Sequence, residues 1–479
     1  MDKFIDECGI VAVTLEHNYE AARSAFFGLT SLQHRGQQSA GLAVCHEGVL
    51  SCYKEMGLVT EILDEKILTL LKGEKALGHV KYGPDAESFQ TTAQPIVINY
   101  RFGSIAVAFS GALVNGEILR KKMEDDGVIF STKTDCEIIA ALIARHDKGN
   151  LTAAIKATMN EIKGGYAFCV LTGSDMIGVR DPHGLRPLAL GKMEGGYILA
   201  SESCAFDTME GEFIRDVKPG EIILLDKGKV SSIDAGAAPK SALCTFEYVY
   251  FARADSTLDG KNVYKVREIA GETLAKEHPV DADIIIGIPD SGTPSAIGYG
   301  IASGIPYKPG MIKNKYIGRI FIQSTQTQRE VGVRIKLNPI DSIIKGKRVV
   351  LVDDSIVRGT TMRKIVALIR EAGASEVHLR ISSPPVRNSC YFGVDTPDRN
   401  DFIANEHTID EIREELGADS LGFLSIEGLL ESLGGTEYCT GCFSGKYPIE
   451  VPDKVPGTWE DKFEKKIAFN VQLSIDEEG

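Results

Sequence analysis

The stretch Val349 to Thr361, VVLVDDSIVRGTT, runs four apolar residues into two adjacent carboxylates and then into Gly-Thr-Thr. Val349, Val350, Leu351 and Val352 show no polar alternation, the pattern of a central strand in a parallel sheet, buried on both faces. After it, Thr360 and Thr361 precede MRKIVALIREAG, whose apolar spacing and closing Gly373 predict an amphipathic helix and its stop. The unit is strand, loop, helix. In open α/β sheets, ligands sit outside the carboxyl ends of the strands, where a helix N-terminus offers unpaired amides to an anion. Asp353 and Asp354 are therefore placed to hold vicinal hydroxyls or a metal, and Ser355 to Thr361 to wrap a phosphate. A solvated acidic turn is the plain alternative.

The same logic recurs upstream. Asp283 to Ile288, DIIIGI, is an apolar strand that runs directly into Pro289-Asp290-Ser291-Gly292-Thr293-Pro294, a second anion cradle. Two cradles on neighbouring strands suit a ligand phosphorylated at both ends. Between them lies KNKYIGRIFIQSTQTQREVGVRIK, Lys313 to Lys336, which carries Lys313, Lys315, Arg319, Arg329, Arg334 and Lys336. A segment this basic reads as a lid that closes over phosphates and excludes water, or as an ordinary solvated loop.

The whole chain has 479 residues, 43% hydrophobic and 25% charged, which suits two to three globular domains. Residues 8 to about 230 give short strand-like runs: CGIVAVTL, SIAVAF, GYAFCVL, GGYILASES and GEIILLDKGKVSSI, the last a hairpin across Asp226, Lys227 and Gly228. Helical patterns fall at Tyr19 to Gln33, Thr134 to Arg145 and Leu151 to Glu161. DAGAAPKSA, Asp234 to Ala242, reads as a linker, and beyond it strands alternate with helices as in a parallel sheet. The charged tail after Val451 reads as a surface appendage. A net charge of −14 argues against a nucleic-acid partner, and no window approaches the roughly 18 apolar residues of a membrane span. MDKFIDE is neither a secretory signal nor a transit peptide, and ten cysteines without a secretion signal point to a reducing cytoplasm.

VVLVDDSIVRGTT resembles the phosphoribosyl diphosphate (PRPP) binding motif of type I phosphoribosyltransferases. Together with FEYVYFARADS (Phe246 to Ser256), GIPDSGTPSA, KNKYIGRIFIQ and ISSPPV (Ile381 to Val386), it resembles the glutamine phosphoribosylpyrophosphate amidotransferases over nearly the whole chain. The resemblance implies that Asp353 and Asp354 hold the ribose hydroxyls and, with Ser291, a Mg2+ ion. Ser355, Arg358, Gly359, Thr360 and Thr361 would cradle the 5′-phosphate; Asp290, Ser291, Gly292 and Thr293 the pyrophosphate; Arg319 and Lys336 would belong to the closing loop.

The implied fold is an α+β N-terminal nucleophile (Ntn) amidohydrolase sandwich at 8–233, followed by an α/β type I phosphoribosyltransferase domain at 243–450. A propeptide at 1–7 and a tail at 451–479 flank them. Cys8 alone reads as a small buried residue at a strand start, but in this family a short propeptide ending in Glu is removed so that the cysteine becomes residue one. Its free α-amine, with an ordinary pKa near 8, then serves as base for its own thiol. SLQHRGQQSAG (Ser31 to Gly41), which contains Arg35, and RDPHGLRPLALGK (Arg180 to Lys192) also resemble this domain, and Asp135 matches the carboxylate that grips the α-amine of glutamine. Two stretches depart from the family pattern. Lys81-Tyr82-Gly83-Pro84 stands where Arg-Tyr-Ser-Thr is usual, and Phe109-Ser110-Gly111 where His-Asn-Gly forms the oxyanion hole. Lys81 keeps the charge without the planar fork of arginine. Ser110 has its donor on a shorter arm, and loss of one such donor commonly costs about 10²–10³ in rate. Either the pocket re-forms its contacts from other residues or the domain is a weak glutaminase.

Cys439-Thr440-Gly441-Cys442 is a CxxC, by itself a redox pair, half a zinc site or coincidence. Cys244 and Cys390 have the surroundings that in one branch of this family supply the remaining ligands of a [4Fe–4S] cluster; a four-thiolate zinc or four buried thiols are the alternatives. The other cysteines read as packing. The activity implied is conversion of glutamine, PRPP and water to 5-phosphoribosylamine, glutamate and pyrophosphate, the first committed step of purine biosynthesis, by a homotetramer or homodimer inhibited by purine nucleotides. The rivals are an ammonia-dependent paralogue with a vestigial first domain and a PRPP-binding regulator without turnover.

Overall fold

The computed structural model describes residues 8–16, 18–82, 90–226, 228–314, 336–396 and 401–451. The propeptide, Gly83 and Pro84, Arg319 with most of the basic segment, Lys227 of the hairpin and the tail from 452 lie outside the described residues.

Gly9–Leu15 is buried at every position, so it must be covered on both faces. Strand alternation divides the work. Val11 and Val13 face the helix Ala21–Ser31, in a core with Ala25, Leu29, Leu42 and Val80. Ile10 and Ala12 face inward against Ala106, Ala108, Ala167 and Leu171 of a second sheet. The first sheet has seven strands, with Gly9–Leu15 between Gly196–Ala200 and Lys75–Lys81; the second has six, with Gly103–Leu113 beside Gly164–Thr172. The small inward residues let the sheets approach. Helices Asp135–His146 and Leu151–Glu161 cover the outer face of the second sheet through Ile138, Ile139, Leu142 and Ile155. The result is helix, sheet, sheet, helix.

Residues 235–242 form neither helix nor strand. Beyond them, Ile284–Gly287, Arg348–Asp353, Glu376–Ile381 and Ser420–Phe423 make a parallel sheet in that order. Val350 and Val352 pack on helices Val263–Glu277 and Gly292–Ser303, while Val349 and Leu351 pack on Thr360–Glu371 and Ile409–Leu416. The two cradle strands are neighbours, paired Ile286 to Leu351, so both loops leave the same edge. The fold class is the one the sequence implied: an α+β sandwich followed by an α/β sheet.

A cluster of buried charges joins the two halves. Arg35, Arg186, Glu202 and Glu247 are each at most 1% exposed. Arg35 donates to both oxygens of Glu247, at 2.7 and 3.0 Å, and to Glu202 at 2.5 Å; Arg186 lies 3.3 Å from Glu247. His34 also meets Glu202, at 2.6 Å. Glu247 opens a single π-helical turn, Glu247–Phe251, on the transferase side. Burial lowers the Arg35 pKa, but Glu247 and Glu202 more than reverse it, so the guanidinium stays charged. Nearby, Arg180 grips Asp259 with two bonds, at 2.7 and 3.0 Å.

Removing one member of such a cluster strands a buried charge. Arg35→Met is expected to cost about 3–5 kcal/mol, seen as a lower urea midpoint by circular dichroism. Arg23→Met, which breaks ion pairs to Glu20 and Glu65 on the exposed surface, should leave the midpoint where it is.

Candidate active sites

Cys8 stands at the entrance to the first strand, with its Sγ 3.9 Å from the Tyr82 carbonyl. Burial pushes the thiol pKa up; a backbone hydrogen bond at Tyr82 and the charges of Lys81 and Arg35 oppose it. The Cys8 carbonyl accepts from Ser110 Oγ at 2.9 Å and from Arg35 Nε at 3.4 Å. Lys81, at the end of its strand, is buried and donates to Thr92 Oγ1 at 2.7 Å. Asp135 accepts the Leu113 amide at 2.9 Å, two residues past Gly111. Ser110 and Arg35 thus touch Cys8, Lys81 lies near enough for its charge to be felt there, and Asp135 is bonded to the strand of Ser110 through Leu113. The Arg35 guanidinium is buried among Glu202, Glu247 and the Cys8 carbonyl. Ser110, whose donor sits on a shorter arm than the asparagine of the family pattern, donates to the Cys8 carbonyl.

Gly111 explains its own identity. At φ +129° it approaches Gly165 so closely that a Cβ would stand 2.0 Å from that carbonyl oxygen. From the other half, Gly393 lies on it: a Cβ there would stand 2.7 Å from the Gly111 Cα.

Beneath the pocket, residues missed by sequence reasoning hold the strands. Gln94 accepts the Phe109 amide at 2.7 Å, and His79 Nε2 meets the Phe109 carbonyl at 3.0 Å. His79 is fully buried, and burial pushes its pKa down to about 3, helped by the charges of Lys81 and Lys54 against the Phe109 carbonyl. The only signal for such residues is a polar type within an apolar run, which is common.

The second site lies at the edge of the parallel sheet. Asp353 ends its strand and Asp354 follows; both are buried. Ser291 and Ser355 both donate to Asp354, the latter at 2.6 Å, so one carboxylate ties the two cradles together. Gly292 permits this, because a Cβ there would stand 2.6 Å from the Val352 carbonyl oxygen. Gly359 turns the chain at φ +78°, and Thr360 and Thr361 begin the helix. Asp290 and Thr293 flank the other helix start, with Asp290 paired to Lys313 at 2.7 Å. Arg358 is exposed and pairs with Asp401 at 2.6 Å. Lys336 accepts the Asn314 amide on its carbonyl at 2.9 Å, at the foot of the basic segment. Arg267, also missed, donates to the carbonyls of Tyr248 and Ala252 beside the π-helical turn. Burial pushes it down to about 10, with Asp354 and Glu202 opposing.

Cys244, Cys390, Cys439 and Cys442 line one cavity, walled by Leu185, Phe246, Phe392, Val394 and Tyr447. Cys244 pairs directly with Cys439 across a short parallel bridge. Burial raises all four thiol pKa values, and in Cys244 and Cys442 the other cysteines add to it. All four are free, and among the described residues no three metal-binding side chains already stand in a coordinating arrangement.

Fold and sites thus define a glutamine amidotransferase half joined to a phosphoribosyltransferase half, and comparison with known proteins agrees. A glutamine amidotransferase domain model matches residues 86–208, and a phosphoribosyl transferase domain model matches residues 255–402. The amidophosphoribosyltransferase of Bacillus subtilis is 44% identical over 453 residues, 93% of this chain and 95% of that protein. That of Archaeoglobus fulgidus is 45% identical, over 93% and 98%. The solved glutamine PRPP amidotransferase of B. subtilis, complexed with ADP and GMP, superposes with a TM-score of 0.88 at 44% identity, over 94% and 99% of the two chains. The chain belongs to the amidophosphoribosyltransferase family.

His79 carries a pH prediction. It stays neutral in the fold down to about pH 3, whereas in the unfolded chain it binds a proton near pH 6.5. Stability is therefore lost as pH falls from 6.5 toward 3. Urea midpoints at pH 7 and pH 5 should show this loss, and His79→Gln should remove about 2 kcal/mol of it.

Proposed function

We propose that this chain converts glutamine, PRPP and water to 5-phosphoribosylamine, glutamate and pyrophosphate, the first step of purine biosynthesis, in two domains taken as 8–233 and 243–450. The observation that carries the reading is the pairing of two anion cradles, bridged by Asp354, with a strand-end cysteine in the other half of the same chain.

In the transferase site, Asp353 and Asp354 hold the ribose hydroxyls; Ser355, Arg358, Gly359, Thr360 and Thr361 receive the 5′-phosphate; and Asp290, Ser291, Gly292 and Thr293 receive the pyrophosphate. Two helix N-termini meeting at one sheet edge support that division. Lys336, at the foot of the basic segment, and Arg319, outside the described residues, would supply positive charge to the phosphates. The carboxylates with Ser291 are the oxygen donors a Mg2+ ion prefers; such an ion neutralises charge on departing pyrophosphate.

In the amidotransferase site, Cys8 attacks the glutamine amide to form a glutamyl thioester, and removal of the propeptide at 1–7 frees the α-amine that takes the thiol proton. Asp135 binds the α-amine of glutamine, Lys81 its carboxylate, and Gly111 lies beside the oxyanion. Arg35 fixes Cys8 through its carbonyl. Ammonia then reaches the second site unprotonated.

Cys244, Cys390, Cys439 and Cys442 suit a [4Fe–4S] cluster in ligand type and number, because all four border one apolar cavity with no carboxylate on its wall. Such a cluster would staple the loop that bears Cys390 to the CxxC. The working assembly is a cytoplasmic homotetramer or homodimer inhibited by purine nucleotides; for the nucleotides alone, the ADP and GMP complexed with the B. subtilis relative lend support. No helix among the described residues is long and apolar enough to cross a membrane.

Anaerobically purified protein should form phosphoribosylamine from either glutamine or ammonium. Cys8→Ala should lose the glutamine reaction and keep the ammonium one, whereas Asp353→Asn should lose both by about 10²–10³. Activity with ammonium alone in the unaltered protein would favour the ammonia-dependent reading, and PRPP binding without pyrophosphate release the regulatory one. Iron and acid-labile sulfide should each approach four per chain and fall in Cys442→Ser; zinc in their place would remove the cluster.

A further inference from the structure

Ser110 occupies the place where the family pattern has its side-chain oxyanion donor, yet its hydroxyl is directed elsewhere. It donates to the Cys8 carbonyl at 2.9 Å. A serine hydroxyl carries one proton, so this bond uses its whole donor capacity. The side chain has little freedom to turn away. Ser110 is 1% exposed and lies in register with Ala167 of the next strand. Its neighbour Phe109 is fixed through both backbone groups, the amide by Gln94 at 2.7 Å and the carbonyl by His79 at 3.0 Å.

The receiving carbonyl belongs to the nucleophile residue itself. Arg35 Nε approaches the same oxygen at 3.4 Å, from the turn Gln33–Arg35. One oxygen is thus held from a strand of the second sheet and from the turn after the first helix. Fixing the carbonyl plane fixes rotation about the Cα–C bond of Cys8. That rotation sets where the side chain and the backbone nitrogen point. Sγ is left facing the Tyr82 carbonyl at 3.9 Å.

We propose that Ser110 is a positioning residue, one that aims Cys8 by holding its carbonyl, rather than a donor to the oxyanion of glutamine hydrolysis. This rests on the glutaminase reading of Cys8 given above. It also accounts for the serine: a donor one atom from Cβ reaches the carbonyl of a packed neighbouring residue, and an asparagine amide there would project past it.

Alkylation by iodoacetamide separates the two roles. The sulfur displaces iodide at a saturated carbon, the thiol proton passes to solvent base, and no tetrahedral oxyanion forms. Loss of an oxyanion donor therefore leaves this rate alone, while loss of a positioning contact changes it. The rate is read at Cys8 by peptide mass spectrometry in the full chain, for wild type, Ser110→Ala and Ser110→Thr. Ser110→Ala should slow Cys8 alkylation about five- to tenfold, the worth of one hydrogen bond. It should lower kcat with glutamine by a similar factor with KM within about twofold. Ser110→Thr, which keeps the hydroxyl, should restore both. The ammonium-dependent rate, which belongs to the other site, reports that each variant is folded. Unchanged alkylation in folded Ser110→Ala, with or without a fall in kcat, overturns the proposal. Wild type that turns over no glutamine overturns the glutaminase reading, and the alkylation comparison still decides the role of Ser110.

Discussion

Arg35 and Glu247 form the contact on which the rest depends. One comes from the turn behind the nucleophile and the other from the transferase half, and both are removed from water. A charge so buried is tolerable only with a partner, and Arg35 has two carboxylates and a carbonyl while Glu247 has two guanidiniums. Neither half closes its charges alone. The cluster therefore fixes how the sandwich meets the sheet, and it does so one bond away from Cys8. Glu202 extends it by accepting from the Arg253 amide at 2.9 Å and from Ser256 Oγ at 2.6 Å.

The transferase site shows the same economy of parts. A parallel pair of strands delivers two loops to one edge, and Asp354 bonds both. Arg267 feels the charge of that carboxylate and donates to the Tyr248 and Ala252 carbonyls of the π-helical turn opened by Glu247. Val350, Val352 and Tyr299 share one apolar core with the helix Val263–Glu277 that carries Arg267.

Much of this was legible in the sequence, for physical reasons that differ by element. VVLVDD and DIIIGI are apolar runs buried on both faces, and they became neighbouring parallel strands, the first inside the sheet and the second at its edge. MRKIVALIREAG put Met362, Ile365, Val366 and Ile369 on one buried face, as its spacing requires. Strands such as Ser39–His46 and Lys75–Lys81 were not singled out, since their alanines and glycines give weak alternation and owe their place to the facing sheet. In the sites, Asp353 and Asp354 drew notice by type and position, while Cys8 did so only through the family resemblance. The roles of Arg35 and Ser110 did not follow from type, because direction is a tertiary property: the same guanidinium that suits a ligand's carboxylate suits Glu247. Gln94, Thr92 and His79 were invisible for the same reason.

Gly393 resting on Gly111 brings backbone against backbone across the seam, with no side chain between them to adjust. Three residues before Gly393 is Cys390, one of the four thiols around the apolar cavity. The backbone around Gly111, one residue past Ser110, is therefore shaped partly by the other half of the chain. A chimera that took its amidotransferase module from a different protein would inherit the chemistry of that module but not this contact. Any graft of this kind has to carry the 390–393 segment along with the module it serves.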